Sequence, residues 1–218
     1  MEALKAVGTV CALVVFAYLF ISVQITAMVL LFSRMSSKRV VEDKKPDSAF
    51  LARYNTWAAS HGFVLMGAYR ALGVPTTAWF SRAEATRLVV YRMKGAAQID
   101  LITELAGQND VTTTSTKDSQ LFPKRPGVWV QSFSGRDLDE LWTLHGEAVA
   151  YVRDRLRLGL GQLPESFPEA IAGSTRKQME YVRSLPYWPL RWPYWYFIRR
   201  RQVANKTVRE QVESGLLP

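Results

Sequence analysis

Residues 6–32 read AVGTVCALVVFAYLFISVQITAMVLLF, an uncharged apolar run followed at once by a basic cluster that includes Arg34, Lys38 and Arg39. As a helix, about 27 residues reach roughly 40 Å against a bilayer hydrocarbon core of ~30 Å, long enough to span with tilt. A cleaved signal peptide has a shorter apolar stretch and a small-residue cleavage site, whereas this run ends in Val29-Leu30-Leu31-Phe32. A core helix of a soluble domain carries a polar stripe, but only Ser22, Gln24 and Thr26 interrupt this one. These three residues suit contact with a partner helix, or stand as polar residues that a membrane helix tolerates singly. The run predicts a transmembrane helix over 6–32, after a short flank at 1–5.

Its flanks predict an orientation. Lys5 stands beside Glu2 on the amino side, while Arg34, Lys38, Arg39, Lys44 and Lys45 follow the span. The positive-inside rule then puts the first residues outside and the large carboxyl-terminal part in the cytoplasm, or in the matrix or stroma of an organelle. Cys11, the single cysteine, lies within the span and forms no intrachain disulfide, in keeping with a reducing compartment.

The chain carries 28 Lys and Arg against 19 Asp and Glu, a net charge of +9 that attracts nucleic acid or anionic lipid. It contains no reading helix, RNP-type aromatic set or zinc-ligand spacing, so nucleic acid is not an expected partner. The bilayer and its anionic head groups are. A membrane protein complex is a further candidate partner.

Residues 33–48 are polar, basic and broken by Pro46, and read as a juxtamembrane linker. Residues 49–185 read as one soluble α+β domain, opening on a short helix that places Phe50, Tyr54 and Trp57 on one face. Six segments rich in β-branched and aromatic residues follow at 62–69, 76–82, 86–94, 98–105, 110–116 and 127–133, separated by Gly, Pro and Asn turn residues. Starts spaced by about 10 to 12 residues predict an antiparallel meander. In 98–105, Ile99, Leu101, Thr103 and Leu105 alternate with Asp100, Ile102 and Glu104, which predicts a sheet apolar on one face and largely polar on the other. Its cover is a long helix over 138–158, with Leu138, Leu141, Ala148, Val152 and Leu156 at helical spacing. A second helix starts at Ser166, in a capping-box pattern with Glu169.

Residues 186–218 form a Trp/Tyr/Pro/Arg-rich tail with a short terminal helix. Pro186, Pro189 and Pro193 argue against a continuous helix before residue 194. Trp and Tyr favour the head-group layer, and arginine reaches phosphates there. The expected membrane-surface residues are therefore Arg34, Lys38, Arg39, Trp188, Arg191, Trp192, Trp195, Arg199, Arg200 and Arg201. The competing reading is an arm packed on the protein's own domain.

Candidate chemistry is sparse. His61 and His145 are the two histidines, and Cys11 is confined to the apolar run, so neither a metal site nor a cofactor is expected. Ser60-His61 has the residue types of a nucleophile and base but lacks a Gly-x-Ser-x-Gly elbow. His145 lies on an apolar helix face as a structural histidine. Asp100 and Glu104 share a strand face without a sign of burial, and Asp137, Asp139 and Glu140 suit a helix start. A curved sheet closed by a helix can enclose a cavity, here lined by Phe63, Trp79, Tyr91 and Trp129 and suited to a lipid tail, or can be filled as a core.

Together these features predict a non-enzymatic, single-pass membrane protein whose cytoplasmic domain binds a protein partner or lipid. An accessory subunit of a membrane complex is the alternative. A tethered hydrolase using His61 or His145 is a weaker one.

Overall fold

The computed structural model describes residues 2–34, 39–71, 73–93, 96–116, 122–162 and 166–217, apart from the side chains of residues 3 and 4. Lys38, with Lys94, Gly95 and Pro164 of the expected strand ends and turns, lies outside the described residues.

The apolar run forms the helix α1 (Glu2–Ser33), which by length and composition is able to cross a membrane. The hydroxyls of Ser22 and Thr26 donate to the carbonyls of Tyr18 and Ser22, one turn back, at 2.8 Å each. Both are satisfied within the helix, so neither needs a partner helix.

Strand β1 (Val40–Glu42) and helix α2 (Ser48–Ser60) come next. Asp47 caps α2 by accepting from the N–H groups of Ala49 and Phe50. A seven-stranded sheet continues through β2 (Val64–Ala71), β3 (Val74–Ser81), β4 (Thr86–Met93), β5 (Ala96–Leu105), β6 (Asn109–Thr114) and β7 (Val128–Ser132), with spatial order equal to chain order. The pairs from β1·β2 to β5·β6 are antiparallel.

The last strand departs from the expected meander. β7 runs parallel to β6, with Asp110 opposite Val128 and Thr114 opposite Ser132. A parallel pair needs a crossover of about a dozen residues. The stretch between Thr114 and Val128 supplies that length, and it is tied down where Phe122 enters an apolar cluster with Met179 and Val182. Residues 33–48, read as linker, also contribute the first strand, because Val40 is apolar and packs near Phe167.

Helix α3 (Leu138–Leu156) is capped by Asp137 in a reciprocal box with Glu140, and α4 (Phe167–Ser184) by Ser166. With α2, α3 covers one sheet face, burying Trp79, Leu88, Val90, Leu101 and Leu141. The second face is not open, contrary to the one-sided sheet expected: Phe167 and Ile171 of α4 pack there on Ala78, Val89 and Ile102. Between the two helices, Gly161 donates to the carbonyl of Glu104 at 2.8 Å, and any Cβ at 161 would sit 2.9 Å from the carbonyl oxygen of Leu105.

The tail is helical almost throughout, as α5 (Trp188–Tyr194), a π-helical turn (Trp195–Arg199), α6 (Arg200–Val203) and α7 (Val208–Glu213). The prolines did not forbid this. Pro189 lies in the first turn, where its missing N–H costs nothing, and Pro193 removes one bond that the widened turn after it accommodates. The link into α7 covers the outer edge of β7: Asn205 N–H donates to Ser132 O at 2.9 Å, and Gln211 Nε2 to Val130 O at 3.0 Å.

Candidate functional site

The carboxyl-terminal third of α1 does not stand free. Ile25 and Val29 are buried with Met179 and Val182 of α4 and Trp192 of α5, flanked by Ile21, Met28, Phe32 and Trp188. Tyr18 Oη donates to the carbonyl of Leu190. The aromatic tail thus packs on the apolar helix itself, and only in part on the domain.

Trp192 points inward, 5 % exposed, and Trp188 is half-buried against α1. Trp195 is half-buried beside Tyr181 in a cavity of about 250 Å³. Arg199 donates to Leu216 O, and Arg200 lies 4.7 Å over the Tyr196 ring. Arg34, Arg39, Arg191 and Arg201 are exposed. The outward face carries other residues: Tyr187, Leu190, Tyr194, Phe197 and Ile198, each between 43 and 80 % exposed. Their spacing of three and four was legible in the sequence, but only once the prolines are allowed inside a helix. Together with Val7, Val10, Leu13, Phe16 and Phe20 of α1, each more than half exposed, they give the two touching elements a large uncovered apolar surface.

At the carboxyl end of α1 a cavity of about 420 Å³ lies between that helix, α4 and the second sheet face. Met28, Phe32, Phe122 and Met179 line it with carbon, while Gln98, Asp100, Asp110, Lys124 and Arg125 line it with charge and hydrogen-bonding groups. The register explains the cluster: Asp100 pairs with Thr114 and Glu104 with Asp110, so all four share the face that α4 covers. Asp100 and Asp110 are each 8 % exposed. Burial raises the pKa of Asp100, against hydrogen bonds from Thr114 and Gln98 and the field of Lys124. Burial pushes Asp110 up to about 6, although Arg125 Nη2 stands 2.9 Å from its Oδ2. Lys124 is half-buried, and burial pulls its ammonium down to about 8 against the fields of Asp110 and Asp100. Beside them, Arg87 pairs with Glu104, while its Nε and Nη1 are buried with no hydrogen-bond partner among the described residues.

The Phe122–Gly127 loop is held by α4. Gln178 of α4 donates to Pro123 O and accepts from Arg125 N–H. Gly127 takes φ 84°, a left-handed backbone that disfavours a side chain, and an added Cβ would displace Asn109 Oδ1, 2.9 Å away. The site therefore brings groups of both charges together out of water. Sequence reasoning placed Asp100 and Glu104 on an exposed face and overlooked Asp110, Lys124 and Arg125, because burial by α4 has no local signature.

The other candidates are dispersed. Phe63 and Trp79 meet in one filled core cluster, Tyr91 lies on the opposite sheet face, and Trp129 belongs to a cluster with Val111 and Val152. His145 is fully buried, with Nε2 2.7 Å from Thr103 Oγ1 and Nδ1 2.9 Å from Thr113 Oγ1, and burial lowers its pKa to about 3. It is a structural group. Ser60 Oγ does approach His61 Nδ1, at 3.1 Å, but that nitrogen also lies 2.9 Å from Trp57 O, an obligate acceptor. Nδ1 therefore carries the proton and is no base for Ser60. Among the described residues no group of three His, Cys, Asp or Glu is placed to hold a metal ion. Comparison with protein families, with curated proteins and with solved structures finds no match to this chain.

Proposed function

We propose that this chain is a non-enzymatic, membrane-attached binding protein, its α+β domain held on the cytoplasmic side of a bilayer by two elements. The observation that carries the reading is the uncovered apolar surface that α5 and the π-helical turn add beside α1. In water, patches of more than a few hundred Å² are rare, and they mark contact with a membrane or a partner. In this reading the amino-terminal two-thirds of α1 cross the hydrocarbon, which takes about 20 residues. Its last turns then leave the bilayer already packed on α4 and α5, so that the domain is clamped and does not swing on a tether. Tyr187, Leu190, Tyr194, Phe197 and Ile198 dip into the interface, where Arg191 and Arg201 meet phosphates.

Depth measurements on the full chain test this. In a Cys11→Ala background, nitroxides are placed at Ile198→Cys and at Glu147→Cys, the latter on α3 across the sheet. In anionic vesicles the label at 198 is expected to be accessible to oxygen and shielded from a water-soluble relaxant, and the label at 147 the reverse. A water-exposed label at 198 would remove the second attachment. Retention of stoichiometric protein partners on that surface in mild detergent would favour an accessory subunit of a membrane complex.

A further inference from the structure

The cavity at the end of α1 has two unlike walls. One is apolar, with Met28 and Phe32 supplied by the helix read above as entering lipid; the other carries Asp100, Asp110, Lys124 and Arg125. A small polar solute has no use for the first wall, whereas an amphiphile fills both. The charges narrow its head group. Two carboxylates face one ammonium and one guanidinium, with Asp110 and Arg125 already in contact at 2.9 Å. A purely anionic group would leave Asp100 and Asp110 against like charge, and a purely cationic group would do the same to Lys124 and Arg125, each at a heavy desolvation cost. A group that carries both signs a few bonds apart meets every member of the cluster with its opposite.

We propose that this cavity binds the phosphoethanolamine head group of a membrane phospholipid, its phosphate at Lys124 and Arg125 and its ammonium at Asp100 and Asp110. This assignment rests on the membrane attachment above, which brings the cavity to the depth of head groups. A primary ammonium brings three N–H donors to carboxylates that only accept, a match that a choline group of equal charge lacks. The volume of about 420 Å³ suits a head group and the start of its chains. Gln178 ties the backbone to α4 on either side of Lys124, at Pro123 O and Arg125 N–H, before the lipid arrives.

The test uses the full chain in non-ionic detergent, titrated calorimetrically with short-chain phosphatidylethanolamine, phosphatidylcholine, phosphatidylglycerol and free phosphoethanolamine. Saturable binding of one phosphatidylethanolamine per chain is expected, at least about tenfold tighter than the other three probes. Asp100→Asn and Lys124→Gln should each weaken it about tenfold or more. Because changes to a buried cluster can impair folding, Thr175→Leu provides an independent variant. It leaves every charge in place, narrows the cavity from the α4 side and should weaken binding about tenfold while the circular dichroism stays unchanged. Equal affinity for all three lipids, absence of saturable binding, or binding unaffected by the folded variants would overturn the assignment. So would free phosphoethanolamine binding as tightly as the lipid, which would make the ligand a soluble one. Detergent removes the need for vesicle attachment, so failure here and failure of the depth measurement are separate results.

Discussion

His145 shows how one buried side chain sets a pH dependence. Thr103 and Thr113 hold both ring nitrogens, and burial depresses the pKa to about 3. Above pH 6.5 the ring is neutral folded or unfolded. Below that, only the unfolded chain takes the proton, so His145 withdraws stability at about 1.4 kcal/mol per pH unit until the folded group titrates. Replacing His145 with Gln should flatten urea-measured stability between pH 6.5 and 5 by about 2 kcal/mol relative to the parent, whatever its effect at neutrality. Asp110 slopes the other way. Its folded pKa, about 6, lies above the ordinary carboxylate value of 3.8, so its contribution is full in acid and lost as pH rises through 6. Lys124 holds that value down. In Lys124→Met, carbon NMR of the Asp110 carboxyl should find its midpoint above 6; an unmoved midpoint would place the ammonium elsewhere.

Among the elements, α5 joins the most. One of its side chains, Trp192, closes the cluster that contains Ile25 and Val29 of α1 and Met179 and Val182 of α4. Truncating a buried aromatic costs about 3–5 kcal/mol. Here the loss falls on a junction between helices. Trp192→Ala should therefore raise amide exchange in residues 21–32 of α1 and in α5, while β3 to β5, under their own helices, keep their protection. Uniform loss across the sheet would mean that the junction and the sheet unfold as one unit. Pro193 and the π-helical turn belong to the same design. The wider turn itself carries Tyr196, stacked on Trp192 with ring centroids 4.7 Å apart, and the exposed pair Phe197 and Ile198.

At the scale of the molecule, the layers run from α2 and α3 through the sheet to α4, and then to α1 and α5. Each sheet face is used differently. The α3 face buries a neutral network in which Thr86, Thr103, Thr113, Gln131 and His145 satisfy one another. The α4 face grades from apolar at Ala78 and Val89 to charged at Asp100 and Asp110. That gradient ends beside the helix proposed to enter the bilayer. The domain's most costly buried charges and its proposed membrane attachment thus occupy one end of the fold, where a lipid head group has both a binding site and a route to it.

Local chemistry in the chain determined the elements. An unbroken apolar run can only be a long helix, alternation in 98–105 can only be a strand, and Asp137 and Ser166 start helices because their side chains accept from free backbone N–H groups. Those signals lie within a few residues of their effect. Pairing and cover do not. Whether residues 128–132 return parallel or antiparallel depends on where Phe122 finds an apolar partner, some 57 residues away in Met179. Whether Asp100 is solvated or buried depends on α4, and whether a helix survives Pro193 depends on the support that Trp192 finds in α1. The sequence by itself thus determined an apolar helix, an α+β domain and a basic aromatic tail. Only the tertiary structure decided that the tail clasps the helix and that a charged cavity forms beside them, because burial is a property of neighbours distant in the chain.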